Sequence, residues 1–348
     1  MNALNDVSGD EDLVTEIPVL DMAPYLADEP GALEDLAAQL RHAQENVGFY
    51  FIVNHGVSRA LIDRAHQELR RFYALQQETK DALRINANSV GYIAAKSTVY
   101  VTSTVNENTQ PDLNECYLIV RERAPDHPAI ESARRFHGPN QWPPEDAVPG
   151  FRENMLAYYA AVEALGHKML PLYARALDLP ADYFAPFFKD PMWTTRNAFY
   201  PGNPDVVKNQ FGLSPHRDHS FITFLPLSDE RGLEIRTEDG RWLPAEQVED
   251  AIIVNTGEFM NRWTNGRFIA TPHRVVPPRH DRYSIALFFN PTWDTVAEPL
   301  ETCVSEDNPA QFEPVTIFDY LSWYVDRNYS KDASGRQEDY APGADLRK

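Results

Sequence analysis

The second half of the chain, from Thr194 onward, is a series of short β-rich runs separated by Gly, Pro and Asp. Examples are Phe221 to Leu227, Leu233 to Arg236, Ala251 to Asn255 and Tyr283 to Phe289. Many short strands with turn residues between them are typical of closed all-β architectures, which bury one face of every strand. The pattern predicts a sandwich or jelly roll of about 8 strands.

The first half of the chain has helical periodicity instead. Two apolar stripes, one containing Leu36 and Leu40 and one containing Ile62 and Leu69, recur at the spacing of a helix face. From 151 to 177, a longer stripe predicts a scaffold helix with a bend or break near Pro171. The chain is therefore expected to be mainly β with flanking helices.

Charge and cysteine content restrict the partners and the compartment. The 348 residues are 43% hydrophobic, enough for a substantial core, and carry a formal net charge of −20. Such a field repels phosphate backbones and anionic lipid, so we expect neither nucleic acid nor a membrane as a partner. The start lacks a basic segment followed by an apolar run, and Cys116 and Cys303 are too few for a disulfide framework. We expect a cytoplasmic protein, and the sequence gives no oligomeric state.

A possible metal site begins at His216-Arg217-Asp218 and is completed by His273 far along the chain. On a strand, His216 and Asp218 would share one face, because side chains alternate. Two imidazoles and one carboxylate are the ligand set of Fe(II) oxygenases, which keep open positions for a co-substrate and O2. The same pattern also arises by chance on polar strands, so alone it does not identify a metal.

Arg282 and Ser284 lie on one face of an otherwise apolar strand. A guanidinium beside a hydroxyl suits recognition of a small carboxylate, whereas the plain alternative is a salt-bridged arginine at a strand start. His219 follows the ligand pair and could suggest a zinc site with four ligands. Strand alternation predicts that His219 faces outward, away from His216 and Asp218.

Several short motifs occur in a fixed order along most of the chain. They are IPVLD at 17–21, GFYFIVNHGV at 48–57, PNQWP at 139–143, YP at 200–201, NTGE at 255–258 and TNG at 264–266. With the HRD and RYS segments, they resemble the isopenicillin N synthase-like family of Fe(II)- and 2-oxoglutarate-dependent dioxygenases. The chain departs from that family's His-Thr-Asp-x-Gly at Arg217 and Ser220, and has Ala198 where plant relatives have Asn.

The resemblance implies a double-stranded β-helix, which is a jelly roll, with the metal at its mouth. It implies that His216, Asp218 and His273 bind Fe(II). It further implies that Arg282 and Ser284 hold the distal carboxylate of 2-oxoglutarate, and that Tyr200 contacts the same co-substrate. The implied activity is oxidation of a small organic molecule by O2, as hydroxylation, desaturation or cyclisation, with release of succinate and CO2.

Two alternatives remain open at this point. Isopenicillin N synthase itself keeps the Arg-x-Ser pair but uses no 2-oxoglutarate. It has an additional glutamine ligand near its C-terminus, whereas this chain ends in DLRK. The other alternative is a protein of the same fold that binds a metal or a ligand without catalysis. Retention of all three metal ligands and of Arg282 argues against it.

The chain is expected to have four parts. Residues 1–16 form a flexible acidic lead-in, and 17–180 form a mixed α/β region with the long scaffold helix. Residues 181–325 form the jelly-roll 2-oxoglutarate and Fe(II) dioxygenase core that the resemblance implies. Residues 326–348 are a charged tail, either mobile or a lid.

Overall fold

The computed structural model describes residues 16–329. The helices in this range are α1 (Ala23–Leu26), α2 (Ala32–Asn46), α3 (Arg59–Tyr73), α4 (Gln77–Asp81), α5 (Pro128–Glu131), α6 (Phe151–Ala176), α7 (Glu258–Trp263) and α8 (Ile317–Tyr329). The strands are β1 (Val19–Asp21), β2 (Phe49–Val53), β3 (Gly91–Ile93), β4 (Glu115–Val120), β5 (Thr194–Tyr200), β6 (Leu213–His216), β7 (Ile222–Pro226), β8 (Leu233–Arg236), β9 (Trp242–Pro244), β10 (Ile252–Thr256), β11 (His273–Val275), β12 (Arg282–Phe289), β13 (Val296–Ala297) and β14 (Val315–Thr316).

Strands β5 to β12 divide equally between two sheets. The larger sheet has the order β1-β2-β10-β7-β12-β5-β4-β3, and the smaller has the order β6-β11-β8-β9. Apart from the neighbouring pair β8 and β9, consecutive strands thus pass from one sheet to the other and pair mainly with partners distant in sequence, as in a jelly roll. The predicted jelly roll of about 8 strands is confirmed, and the N-terminal region adds strands to both edges of the larger sheet.

The scaffold helix α6 packs against α2 and α3. Its sequence stripe lies wholly in the core, because each of the following residues is buried: Met155, Tyr158, Tyr159, Val162, Leu165 and Met169. Pro171 lies inside α6 without interrupting it, so the predicted break is absent. Because α6 packs closely against the larger sheet, it restricts the movement of strands such as β12 that carry polar side chains.

The two ends of the chain lie beyond the part that the structure describes. Residues 1–15 and 330–348 are outside the described residues, and with them most of the acidic lead-in and of the charged tail. The tail was expected to begin at Asp326, but α8 continues to Tyr329. This boundary was wrong. The buried amide of Asn328 donates to Tyr324 O and to Thr102 Oγ1, and the second bond holds the last turn of α8 against the segment that contains Thr102. No helix in residues 16–329 combines the length and the apolar character needed to cross a bilayer.

Candidate active site

The three predicted metal ligands meet at one end of the smaller sheet. His216 ends β6 and His273 begins β11, and the two residues are direct partners across this antiparallel pair. Asp218 follows two residues after β6, and its Oδ1 lies 3.6 Å from His216 Nε2 and 3.5 Å from His273 Nε2. All three residues are buried, and one ligand atom from each lies within 4.8 Å of the others. The group could hold a single metal ion.

Backbone carbonyls fix the orientation of both imidazoles. His216 Nδ1 lies 2.8 Å from Ser214 O, and His273 Nδ1 lies 3.2 Å from Thr271 O. A carbonyl only accepts, so each Nδ1 carries a proton, and each Nε2 is the ring nitrogen that faces Asp218. Burial, reinforced by the nearby His273, lowers the pKa of His216, which favours the neutral ring that a metal ligand must have.

Asp218 is oriented by two hydrogen bonds to the oxygen that faces away from the histidines. Oδ2 accepts from Thr223 Oγ1 at 2.7 Å and from Asn255 Nδ2 at 2.8 Å, which leaves Oδ1 toward the imidazoles. Burial alone would raise the pKa of Asp218, but His273 and His216 outweigh it and hold the pKa well below its ordinary value. The carboxylate is therefore ionised and aimed before any metal binds.

Replacing Asn255 with alanine is expected to weaken binding of a divalent metal by ~10–100-fold, because Asp218 loses one of its two orienting donors. Calorimetric titration of Mn(II) into the metal-free protein measures this change. Asn261 donates to Phe268 O elsewhere in the structure, so Asn261→Ala is the control. Equal metal affinity in the Asn255 variant and the parent would show that the amide does not support the site.

The loop that carries Asp218 packs directly on the turn that follows β10. Glu258 N donates to Asp218 O at 2.7 Å, and a Cβ placed on Gly257 would collide with the backbone of Ser220. The φ of Gly257, −91°, is open to any residue, so a glycine is required there by the close approach of Ser220 and not by the backbone conformation. Gly266 differs, because its φ of 83° lies in the left-handed region that favours glycine.

Arg282 and Tyr200 lie opposite each other on the larger sheet, facing the same cavity as the metal ligands. They are direct partners between β12 and β5, and the Arg282 guanidinium carbon lies 4.9 Å from the centre of the Tyr200 ring. Ser284, also on the cavity wall, pairs with Ala198. The predicted placement of Arg282 and Ser284 on one face is confirmed.

Arg282 is 2% exposed, and its Nε and Nη1 have no hydrogen-bond partner in residues 16–329. Burial, opposed only in part by Tyr200, lowers the pKa of the guanidinium below its usual value. The plain alternative of a salt-bridged arginine does not hold for the described residues. Arg282 Nε and Nη1 are therefore available to donate to an anionic ligand.

Residues of β5 alternate between this cavity and the core behind the sheet. Arg196, Ala198 and Tyr200 line the cavity, whereas Asn197 donates to Tyr117 O and accepts from Tyr159 Oη on the other side. Asn197 therefore cannot replace the asparagine that plant relatives have at position 198. Arg196 is buried and donates to Asn114 Oδ1 at 2.7 Å. Strand alternation places Arg196 on the same face as Tyr200, but the sequence analysis did not select it.

His219 does not face outward as predicted. It is 7% exposed and lines the cavity, with its ring 4.9 Å from that of Phe288 and 4.7 Å from that of Tyr324. The prediction was wrong because β6 ends at His216, and strand alternation does not apply to the loop beyond it. For the same reason Asp218 does not share a strand with His216. His219 also stays outside the group of metal-binding atoms.

A buried carboxylate supports the strand that carries His216. Asp112 Oδ1 accepts from the backbone N of Ser214 at 2.9 Å and from its Oγ at 2.6 Å. Burial raises the pKa of Asp112 to about 7, although both bonds to Ser214 and the charge of Arg196 act in the opposite direction. Asp112 thus links β6 to the loop formed by residues 94–114.

Asp112 is expected to make stability fall as the pH rises. The unfolded chain releases this proton near the ordinary pKa of 3.8, whereas the folded protein keeps it to about 7. Between those values unfolding releases one proton, so this group lowers the free energy of unfolding by ~1.4 kcal/mol per pH unit. In Asp112→Asn this loss is absent. Between about pH 5 and about pH 8, the free energy of unfolding of the variant should therefore rise by roughly 2–3 kcal/mol relative to that of the parent. Urea unfolding at both pH values measures the gain, and an unchanged difference would contradict the buried titration.

Two family models match the chain in succession. Residues 17–145 match the N-terminal region of the non-haem dioxygenases in morphine synthesis, and residues 193–291 match the 2OG-Fe(II) oxygenase superfamily. The chain is 33% identical over 335 residues to the 2-oxoglutarate-Fe(II) type oxidoreductase hxnY of Emericella nidulans, covering 94% of this chain and 93% of that protein. This chain belongs to the 2OG-Fe(II) oxygenase superfamily. The resemblance to isopenicillin N synthase-like dioxygenases is confirmed.

Solved structures of 2OG-Fe(II) oxygenases have the same fold. A full-length Neurospora crassa protein in complex with alpha-KG is 25% identical, with a TM-score of 0.78 over 91% of this oxygenase and 97% of that chain. JOX2 in complex with 2OG, Fe and JA is 25% identical, with a TM-score of 0.72 over 89% and 85%. The protein is therefore an Fe(II)- and 2-oxoglutarate-dependent dioxygenase that uses O2, and the alternative of an oxidase without 2-oxoglutarate is not favoured.

Proposed function

We propose that His216, Asp218 and His273 bind the Fe(II) of this dioxygenase, and that Arg282, Ser284 and Tyr200 bind its 2-oxoglutarate. The observation that carries this proposal is the buried Arg282 guanidinium, whose Nε and Nη1 have no hydrogen-bond partner in residues 16–329 and which shares one cavity with the ligand group. Each assignment is supported by the chemistry of the donors present.

The ligand group suits Fe(II). Two imidazoles and one carboxylate form the set that non-haem Fe(II) oxygenases use, and both Nε2 atoms already lie within 3.6 Å of Asp218 Oδ1. Within residues 16–329 no further histidine, cysteine or carboxylate joins the group. Three protein ligands leave coordination positions for 2-oxoglutarate and O2.

The other end of the cavity suits a dicarboxylate. Arg282 offers two donors without partners, Ser284 adds a hydroxyl, and Tyr200 adds a phenol beside the guanidinium. An Arg fork recognises a carboxylate through two parallel hydrogen bonds, and such bonds are strong in a buried site. The cavity lining also includes the short side chains of Ala198 and Ala286.

Bound iron, 2-oxoglutarate and O2 supply the oxidising chemistry, which yields succinate, CO2 and an oxidised substrate. The chain's own residues orient these groups and exclude water. Arg282 fixes the far end of the co-substrate, while Leu213, Val275 and Phe288 give the cavity an apolar wall. Substrate oxidation by hydroxylation, desaturation or cyclisation depends on which carbon this wall brings to the metal.

The substrate is a small organic molecule. A second structure of the Neurospora crassa protein holds thymine, and JOX2 holds JA, so enzymes of this fold with similar sequences bind compact molecules. The cavity here is likewise enclosed by side chains of both sheets and of α8. A buried, enclosed cavity is suited to a small molecule and not to a polymer.

We assign the catalytic unit to residues 181–325 and the supporting α/β region to residues 17–180. The family matches at 193–291 and 17–145 support this division, since each falls inside one part. We also place the protein in the cytoplasm. The thiols of Cys116 and Cys303 are both free and buried, as expected in a reducing compartment that keeps iron ferrous.

The test is a metabolite screen in which succinate formation and O2 uptake are followed together, with Fe(II) and 2-oxoglutarate present. We expect a substrate to raise both rates in parallel, and omission of either Fe(II) or 2-oxoglutarate to abolish them. Substrate-dependent O2 uptake without succinate would instead identify an oxidase that needs no 2-oxoglutarate. Failure of the protein to bind Fe(II) and 2-oxoglutarate under anaerobic conditions would contradict the proposal.

A further inference from the structure

We propose that His219 is a specificity-determining residue, whose imidazole edge forms a hydrogen bond with a polar group on a flat, ring-containing substrate. The proposal rests on the function proposed above, since it concerns the substrate end of the same cavity.

The buried edge of His219 is the first support. The residue is 7% exposed, and its Nε2 is buried without a hydrogen-bond partner in residues 16–329. A buried polar atom of this kind costs free energy unless a ligand or an ordered water satisfies it. Because His219 lines the cavity, a substrate bound there can supply the missing partner.

The packing of the His219 ring restricts how a ligand can approach it. Phe288 of β12 and Tyr324 of α8 lie with ring centres 4.9 Å and 4.7 Å from its centre, at interplanar angles of 35° and 38°. Both neighbours pack closely on the imidazole, so we infer that a ligand reaches it at the edge that carries Nε2. The packing also holds the imidazole still, which favours a directional hydrogen bond.

The position of His219 places this contact beside the metal ligands. It directly follows Asp218, and Tyr100, on the same cavity wall, has its ring centre 4.8 Å from that of His216. A molecule that reaches the His219 edge therefore lies between aromatic rings and next to the metal group. This is the location a substrate needs.

The aromatic residues that line the cavity indicate the chemical class of the substrate. Tyr100, Phe288 and Tyr324 present aromatic rings from a loop, a strand and a helix, so the cavity favours a flat molecule that stacks on them. The His219 edge then selects members that carry a carbonyl, hydroxyl or ring N–H at the matching place. A ligand without such a group leaves Nε2 unsatisfied and is rejected, which is how buried polar atoms give selectivity.

A structural role is less consistent with the contacts. His55 is a buried histidine with such a role: Nδ1 accepts from Val57 N at 3.1 Å, and Nε2 lies 3.1 Å from Asp250 O. Both of its nitrogens are used within the fold. His219 differs because its Nε2 has no partner in residues 16–329 and because, unlike His137, whose Nε2 is also unpartnered there, it lines the cavity.

The test uses the enzyme loaded with Mn(II) and 2-oxoglutarate, which cannot turn over, and probes in matched pairs. Indole is compared with indene, which lacks the N–H, and benzamide with open-chain hexanamide. Ligand-observed NMR gives the affinity, and the paramagnetic relaxation caused by Mn(II) reports proximity to the metal. The variants are His219→Phe, which keeps a ring, His219→Gln, which keeps a polar end, and His137→Phe. His137 is a control because it is buried with a partnerless Nε2 in residues 16–329 but does not line the cavity.

We expect the parent and His137→Phe to prefer indole over indene by ~10-fold or more, and benzamide over hexanamide. His219→Phe should lose the preference for indole, and His219→Gln should restore part of it. An unchanged preference in His219→Phe, equal binding of the open-chain probe, or no binding of either ring probe to the loaded parent overturns the proposal. Failure of the parent to bind Mn(II) or 2-oxoglutarate contradicts the proposed function instead, so the two failures are distinguishable.

Discussion

Replacing His216 with alanine is expected to lower the affinity for Fe(II) by more than ~100-fold and to abolish substrate-dependent succinate release. The loss should exceed the 10–100-fold typical of residues that only orient a ligand, because His216 supplies one of three donor atoms. Removal also leaves Asp218 with a single imidazole neighbour. Anaerobic titration of Fe(II) measures the affinity, and succinate analysis measures turnover.

The matched control for this variant is His42→Ala, since His42 is exposed on α2 and does not line the cavity. It should bind iron as the parent does, which excludes a general effect of losing a histidine. If His216→Ala binds one Fe(II) as tightly as the parent and still couples 2-oxoglutarate turnover to a substrate, the ligand assignment is wrong.

Replacing Arg282 with alanine is expected to raise the 2-oxoglutarate concentration needed for half-maximal turnover by at least ~100-fold. Two charge-assisted hydrogen bonds to a carboxylate are lost, and each is worth ~1.5–3 kcal/mol. The affinity for Fe(II) alone should stay near that of the parent, since Arg282 does not contact the ligand group. Kinetics at varied 2-oxoglutarate and a separate metal titration give the two quantities.

Two further variants separate the effect of charge from that of guanidinium geometry and control for loss of an arginine. Arg282→Lys keeps the charge but loses the fork, so its requirement for 2-oxoglutarate should lie between those of the parent and the alanine variant. Arg274→Ala removes an arginine that is paired with Glu234 on β8, with 2.7 Å between Nε and Oε2, and should leave the requirement unchanged. An Arg282→Ala enzyme with the co-substrate response of the parent would rule out the carboxylate assignment.

Parts of the site that lie within regular strands could be predicted from the sequence. Arg282 and Ser284 face one cavity because β12 continues regularly for eight residues, so alternation holds along it. The jelly roll was likewise predictable, since its short strands and turns leave a local pattern. His216 and His273 could be paired through the family resemblance, although spacing alone would not bring them together.

Other parts depend on how the chain is packed and left no local signal. His219 was misplaced because β6 stops at His216, and the sequence does not mark that end. Tyr324 reaches the cavity from α8, and Tyr100 reaches it from a loop before β4. No periodicity connects these rings to the metal ligands, because their proximity results from the tertiary arrangement of distant segments.

The most direct measurement is an anaerobic crystal structure of the protein with Fe(II) and 2-oxoglutarate. We expect one iron ion bound to His216 Nε2, His273 Nε2 and a carboxylate oxygen of Asp218 at roughly 2.0–2.2 Å, the range for such ligands on a divalent metal. The far carboxylate of 2-oxoglutarate should lie on the Nε and Nη1 side of Arg282. Iron bound elsewhere, or a fourth protein side chain filling the position meant for the co-substrate, would contradict the assignment.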